Sequence, residues 1–295
     1  MDIQITFLGT GNAMPTAQRN HPSILLDCNA EHILIDCGEG TQRQLRIAKE
    51  NPCKITRILL THLHGDHILG IPGLIKTLEM SEYQKTLKIY GPSGTKKHFE
   101  LLEKLYGNFK IKHEIHENRT IEEKDFKIQT LPMSHGTPTL AYSFEIKEKR
   151  RIDKAKLKKL KIKNSPLLGE LQKGKNIIID NKKLNAKSLT YLQPGKKVSF
   201  VLDTLPNSNI EKIAKNADLF ICEATFSSKE AEIAKDHKHL TAEQAATYAK
   251  KAKAKKLILT HISQRYEHTL ETLKNEAHKL FKNTSISSDL QKIKI

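Results

Sequence analysis

Apolar residues recur along the chain in short runs bounded by Gly, Pro, Asn and Asp, the pattern of strands buried on one or both faces. Such runs occupy 3–8, 23–27, 32–36, 56–60, 87–90, 126–131, 140–146, 198–202, 218–222 and 257–260. Between several of them the apolar spacing lengthens to three and four residues, which predicts helices over 40–50, 68–80, 94–106, 241–253 and 267–281. Strand pairs come first and strand–helix alternation follows, so the chain reads as layered α/β architecture rather than separate all-β and all-α halves. Gly9-Thr10-Gly11 and Gly38-Glu39-Gly40 stand at strand ends, where glycine permits tight turns and close backbone approach. Thr241, with Gln244 three residues on, is a capping box ahead of one helix.

One region breaks this rhythm. From Lys147 to Lys163 ten Lys and Arg residues face only Glu148 and Asp153, and Asn164-Ser165-Pro166 then stops any helix. The spacing of Leu157, Leu160 and Ile162 suits a basic amphipathic helix. We read 147–185 as a flexible arm inserted between two strands of a domain that spans 1–295. Charge runs are usually solvated faces, but an arm of this sign is also suited to a polyanion.

Composition sharpens that second reading. The 295 residues carry 50 Lys and Arg against 33 Asp and Glu, a net charge of +17 that favours nucleic acid as partner. Cys28, Cys37, Cys53 and Cys222 are scattered, with no C-x-x-C pair, as expected of structural thiols in a reducing interior. No apolar stretch approaches the ~18 residues that span a bilayer, and no charged n-region with an apolar core opens the chain. The expectation is a soluble, cytoplasmic protein with no membrane partner.

The chemistry concentrates where Ile58-Leu59-Leu60-Thr61 empties into His62-Leu63-His64-Gly65-Asp66-His67. Three imidazoles and a carboxylate in six residues are hard to satisfy inside a core without a ligand. Placed at a strand end and turned by Gly65, they can converge on one point, and their N/O donors suit zinc, with manganese or iron as alternatives. Further ligands must come from elsewhere, and His135, Asp203 and His261 each stand at the end of a strand-like run.

H-x-H-x-D-H is the hallmark of the metallo-β-lactamase superfamily, which the chain resembles, and more specifically it resembles the ribonuclease Z family within it. The likeness runs through Phe7–Gly11, Gln18-Arg19-Asn20, Leu34–Gln44, Ser134-His135-Gly136 and Pro166–Gly169. It continues through Leu202-Asp203-Thr204, Glu223–Phe226, His239-Leu240-Thr241 and Thr260–Tyr266. The resemblance implies an αββα four-layer sandwich with an inserted basic arm. It implies two zinc ions per subunit, one on His62, His64 and His135, the other on Asp66, His67 and His261, with Asp203 bridging. It also implies an endoribonuclease that trims the 3′ trailer of precursor transfer RNA, and a homodimer in which one subunit's arm serves the other's site.

In that chemistry the cations neutralise the phosphodiester and bring a water's pKa toward ~7. Asp66 accepts the water's proton, and His239, oriented by Glu223, protonates the departing 3′ oxygen. Arg19, Arg43, Arg265, Lys154, Lys158 and Lys159 are candidate RNA contacts, with surface ion pairing as the alternative for the arginines. Cys222 stands where the family commonly has His before Glu-Ala-Thr, and a buried thiol there packs as a small hydrophobe. The arm is also poorer in glycine and proline than is usual in the family. Two other functions compete. A small-molecule phosphodiesterase or thioester/lactone hydrolase shares the metal site but has no use for a basic arm. An idle RNA-binding scaffold predicts lost ligands, and here each candidate is present.

Overall fold

The structure, a computed structural model, describes residues 2–162, 165–179 and 182–295; Lys163 and Asn164, part of the basic run and its expected stop, lie outside them. One compact unit comprises Met1–Glu122, Ile128–Phe144 and Lys197–Ile295. Its first sheet contains β1 (Gln4–Gly9), β2 (Ser23–Cys28), β3 (Glu31–Ile35), β4 (Arg57–Leu59), β5 (Leu87–Gly91) and β6 (His113–Glu117) in sequence order. The second holds β7 (Ile121–Glu122), β8 (Phe126–Ser134), β9 (Pro138–Ile146), and, beyond an insertion containing β10 (Lys149–Ile152), β11 (Ile177–Ile179), β12 (Lys182–Leu184) and β13 (Thr190–Gln193), the strands β14 (Lys196–Val201), β15 (Leu219–Glu223), β16 (Leu257–Thr260) and β17 (Thr284–Ile286). The last strand, β18 (Lys292–Lys294), returns to flank β1.

Both faces of each central strand are buried, which explains the continuous rather than alternating apolar runs. Leu8, Leu25, Leu34, Ile58 and Ile89 pack with helices Thr41–Ile47, Ile71–Met80 and Thr95–Tyr106, while Phe7, Ile24, Leu26, Ile33 and Ile35 on the other face are equally enclosed. In the second sheet Val201, Phe220, Cys222, Leu257 and Leu259 pack under helices Ser208–Ala214, Ala242–Lys251 and Leu270–Leu280. The sheets meet where Tyr142 Oη donates to Leu60 O at 2.7 Å and Leu140 N to Thr61 O at 2.8 Å. The result is the four-layer αββα architecture.

All ten strands read from the apolar runs are present, with shifted ends. The helix expected over 68–80 is two, Gly65–Ile68 and Ile71–Met80, because Gly70 turns to give its N–H to Cys37 O and Pro72 starts a new first turn. Thr241 and Gln244 form the capping box in both directions. Short or polar elements escaped the pattern: the charged edge strand β6, the helix Ala231–Asp236, and the strands of the insertion.

A second compact unit comprises Glu123–Lys127 and Glu145–Lys196. Inside it β10 pairs antiparallel with β13 and β11 with β12. Helix Lys154–Lys159, capped by the Asp153 side chain on Lys156 N, buries Leu157 among Leu168, Leu171, Leu184, Ala186 and Leu189. The amphipathic helix is shorter than the sequence spacing suggests: Ile162 joins this cluster from beyond the helix end, and Leu160 stays 44% exposed. Lys154, Lys158 and Lys159 are exposed along it.

Parallel pairing brings β3 beside β4, and β14, β15 and β16 side by side, so their C-terminal ends share an edge. Asp36, His62, Asp203, Glu223 and His261 stand at those ends. Gly38 lets the chain pass under the His62–His67 run, since a Cβ there would collide with Asp66 O and the His21 side chain. Gly38→Ala should therefore cost about 3 kcal/mol in urea unfolding. Gly169→Ala, with nothing near its added carbon, should be neutral or slightly stabilising. Burial pushes the Cys37 thiol up to about 12 and encloses Cys28 and Cys222, while Cys53 is partly accessible. Ellman's reagent should thus titrate one thiol in the native protein and four after denaturation.

Candidate metal centre

Two groups of donors converge at this edge. His62, His64, His135 and Asp203 form one, Asp66, His67, Asp203 and His261 the other, and within each the ligand atoms lie within 4.8 Å of one another. All seven candidate ligands read from the sequence thus meet, although they come from four places in the chain. Asp203 belongs to both groups. Its Oδ2 stands 3.6 Å from His62 Nε2, 3.5 Å from His135 Nε2 and 3.4 Å from His67 Nε2, and its Oδ1 3.1 Å from His261 Nε2.

Hydrogen bonds on the far side of each ring decide which nitrogen faces inward. The Thr61 hydroxyl donates to Asp36 Oδ2, so the 3.1 Å contact with His62 requires His62 Nδ1–H to donate. His67 Nδ1–H donates to the same Asp36 oxygen at 2.6 Å, and His135 Nδ1–H to Lys238 O at 2.9 Å. Thr225 Oγ1 spends its proton on Glu223 Oε2, so at 2.9 Å it accepts from His261 Nδ1–H. All four rings therefore turn Nε2 toward the cluster, as second-shell bonds orient metal-binding imidazoles.

A metal fits what remains. His67 Nε2, His261 Nε2 and Asp203 Oδ1 are buried with no hydrogen-bond partner, the condition a cation relieves. Ligands ~2.0–2.1 Å from one tetrahedral ion stand roughly 3.3 Å apart. The observed separations bracket that value, from 3.0 Å between His62 Nε2 and His64 Nδ1 to 3.7 Å between His261 Nε2 and Asp66 Oδ2.

The electrostatics match. Burial, joined by neighbouring His67, drives the His62 pKa well below normal, and burial lowers His135 against the pull of Asp203. Burial also opposes charge on His67, but Asp203 and Asp36 outweigh it and raise its pKa well above normal. Burial would raise the Asp66 and Asp203 carboxyls, yet the surrounding imidazoles hold both far below the usual range, so both are ionised.

Glu223, His239 and His261 also lie within one ligand radius, but this group has another explanation. Glu223 is fully buried, and its Oε1 accepts from Thr204 N at 2.7 Å and its Oε2 from Thr225 at 2.6 Å. His239 Nδ1 meets Oε2 at 3.1 Å. Burial disfavours the imidazolium, but Glu223 and Asp203 overcome it and push the His239 pKa up to about 9. Glu223 is thus already committed to Thr204, Thr225 and His239, and His239 is tied to it through Nδ1.

The expected RNA contacts divide. Arg43 is exposed, and Arg265 is exposed with Nη1 3.3 Å from Glu230. Arg19 differs from the expectation: it is 5% exposed, and Nη1 donates to Thr10 Oγ1 and Ser287 O at 2.7 and 2.8 Å, bracing the two ends of the chain. Sequence reasoning gave no role to Asp36, Thr61 or Thr225, although Asp36 and Thr225 lie in segments that carry the family likeness and all three stand at or just beyond strand ends.

Comparison with known proteins gives the site a family. The sequence-family profile described as Anti-Pycsar protein Apyc1 matches residues 3–285. The Ribonuclease Z of Methanothermobacter thermautotrophicus is 38% identical over 299 residues, covering 99% of this chain and 97% of that protein. The crystal structure of human tRNase Z, short form, superposes with a TM-score of 0.71 at 26% identity, over 99% of this chain and 98% of that one. The metallo-β-lactamase fold protein YhfI from Bacillus subtilis gives 0.73 at 19% identity, over 100% and 99% of the two chains, a likeness of fold. The chain belongs to the family that the Apyc1 profile describes and, by identity along its whole length, to the ribonuclease Z family of the metallo-β-lactamase fold.

Proposed function

We propose that this endoribonuclease removes the 3′ trailer from precursor transfer RNA and leaves a 3′ hydroxyl on the transfer RNA. The observation that carries the reading is His239, held on Glu223 at 3.1 Å beside the Asp203 and His261 donors. An imidazolium held charged next to a metal centre can protonate the alkoxide that a phosphodiester expels, whereas a thioester expels a thiolate that needs no such help. The relatives named Ribonuclease Z support the same substrate.

In this reading His62, His64 and His135 would hold one ion and Asp66, His67 and His261 the other, with Asp203 available to both. Zinc suits these donors best, and manganese or iron also fits. Bound there, two such ions supply positive charge to the non-bridging phosphate oxygens and acidify the attacking water. The residues do the rest. Asp66, ionised, accepts the water's proton as the new P–O bond forms. His239 gives its proton to the departing 3′ oxygen, and Glu223 keeps the ring charged and aimed. The P–O3′ bond breaks, so the phosphate stays on the trailer. Lys154, Lys158 and Lys159 on the second unit, with Arg43 and Arg265, contact phosphates of the RNA. A homodimer that lends one subunit's arm to the other's site belongs to the same reading, and sedimentation velocity tests it.

The first test is to incubate the purified protein with a precursor transfer RNA, map the cut, and measure bound metal on the same sample. A cut elsewhere than at the 3′ end of the mature sequence refutes the proposal. Asp66→Ala should abolish cleavage while RNA binding by filter retention persists, and His239→Ala should slow it by ~10²–10⁴-fold; normal rates in either variant would remove that residue from the mechanism. Lys149 and Gln193 face each other across β10 and β13, about 5 Å apart, so a short glycine link can replace everything between them. That deletion should raise KM for precursor transfer RNA at least about tenfold relative to KM for bis(p-nitrophenyl) phosphate. An equal change on both substrates would make the arm a structural element.

A further inference from the structure

A cavity of about 270 Å³ adjoins the metal centre and shares His239 and Thr225 with it as wall. Its other lining includes Asn12, Met14, Phe226, His237, Gln264 and Arg265, and only Arg265 has been given work so far. The volume falls just below the ~300–1,000 Å³ of pockets for drug-sized ligands, which suits one nucleoside rather than a longer chain.

The backbone makes this cavity a built feature. Phe226 is bridged to Thr241, and Ala242 N donates to Phe226 O at 2.9 Å, so the aromatic is fixed to the turn that carries His237 and His239. Gly11 is bridged to Ile262, and Ile262 N donates to Thr10 O at 2.9 Å, which ties the Asn12–Met14 loop to the one bearing Gln264 and Arg265. The Phe226 and His237 rings lie 26° from parallel with centroids 6.2 Å apart. Hydrogen-bonding groups accompany them. Asn12 Oδ1 accepts from Met14 N at 3.1 Å, which leaves its amide N–H groups as donors. Gln264 Nε2 rests 3.1 Å from Met14 Sδ, a weak acceptor that a base carbonyl would outcompete. Flat aromatic faces with amide donors at the edge are the chemistry by which proteins hold an unstacked nucleobase.

Position says which base. The oxygen that departs takes its proton from His239, so the nucleoside bearing that oxygen leaves on the His239 side, where the cavity lies. We propose that this cavity seats the nucleobase of the nucleotide whose 3′ oxygen departs, stacked on Phe226 and His237 and met at its edge by Asn12 and Gln264. The assignment rests on the reading of His239 as the acid.

Two measurements test it. The first is NMR saturation transfer from the protein to the base protons of adenosine, with ribose as control, for the wild type, Phe226→Ala and His237→Ala. The wild type should transfer to adenosine and not to ribose, and Phe226→Ala should lose the effect. The second is cleavage of a precursor transfer RNA carrying an abasic ribose 5′ to the cut. The missing base should lower kcat/KM about tenfold for the wild type, and Phe226→Ala should lower the ratio of kcat/KM on intact RNA to that on bis(p-nitrophenyl) phosphate by about as much. His237→Ala, at an exposed position, should shift the same ratio in the same direction and decides the matter if Phe226→Ala does not fold. Correct 3′ cleavage with no discrimination against the abasic nucleotide overturns the base site and leaves the proposed function standing. Adenosine bound through Phe226, with precursor transfer RNA left uncut, does the reverse.

Discussion

Asp203 is the residue on which the rest of the architecture converges: a carboxylate 2% exposed, faced by His62, His67, His135 and His261 at 3.1–3.6 Å. Taking such a group out of water costs several kcal/mol unless positive charge and hydrogen bonds replace the lost hydration. The surrounding residues replace it in part. The His67 imidazole, gripped between Asp203 and Asp36, takes up charge, while His62 and His135 are kept neutral. Three buried polar atoms of the cluster are still without partners, all in the Asp66–His67–Asp203–His261 group, which shares Asp203 with the other. A fold that leaves this deficit at one point is organised around cations.

The rings are aimed by what lies behind them. Thr61, Asp36, Lys238 O and Thr225 each hold an Nδ1–H, so every Nε2 points at the cluster without a ligand's help. Two of these arrangements use backbone that resists them: Asp36 and His261 sit at φ 55° and 58°, a region non-glycine residues enter at a cost. Flanking strands buried on both faces hold them there. Thr225 does a second service, because its one hydroxyl contacts both Glu223 and His261. The alignment of His239 on Glu223 and that of His261 are therefore one hydrogen-bonded unit, and a change at Thr225 cannot disturb one without the other.

How much of this the sequence could reveal follows from how local each feature is. His62–His67 was legible because the ligands are neighbours at a strand end. His135, Asp203 and His261 were nominated by the same logic, and parallel pairing of β14, β15 and β16 is what makes it work. Asp36 and Thr225 support from behind through contacts 31 and 36 residues away in sequence, which no local pattern carries. Arg19 was misjudged for the complementary reason: an arginine in a polar loop looks exposed until the return of Ser287 and Asp289 encloses it. The strands of the insertion hid because they are short, β10 is mostly basic, and among the described residues β10 and β13 pair only with each other.

Selectivity has to come from outside the cluster. Imidazoles and carboxylates around a cation recognise the charge of a phosphodiester and little more. Two features are specific enough to add discrimination, and they act over different distances. The second unit has its own apolar cluster, so its lysines are displayed on a folded support rather than a solvated string, and ordering them costs less entropy on binding. Phosphate contacts of that kind strengthen binding without distinguishing sequence or fixing the bond to be cut. The cavity beside His239 is small and flanked by two backbone bridges, so as the proposed base site it would fix that bond to the nearest nucleotide. Under the proposed function, this separation of grip from register would let a chain of charge +17 hold RNA broadly and still cut in one place.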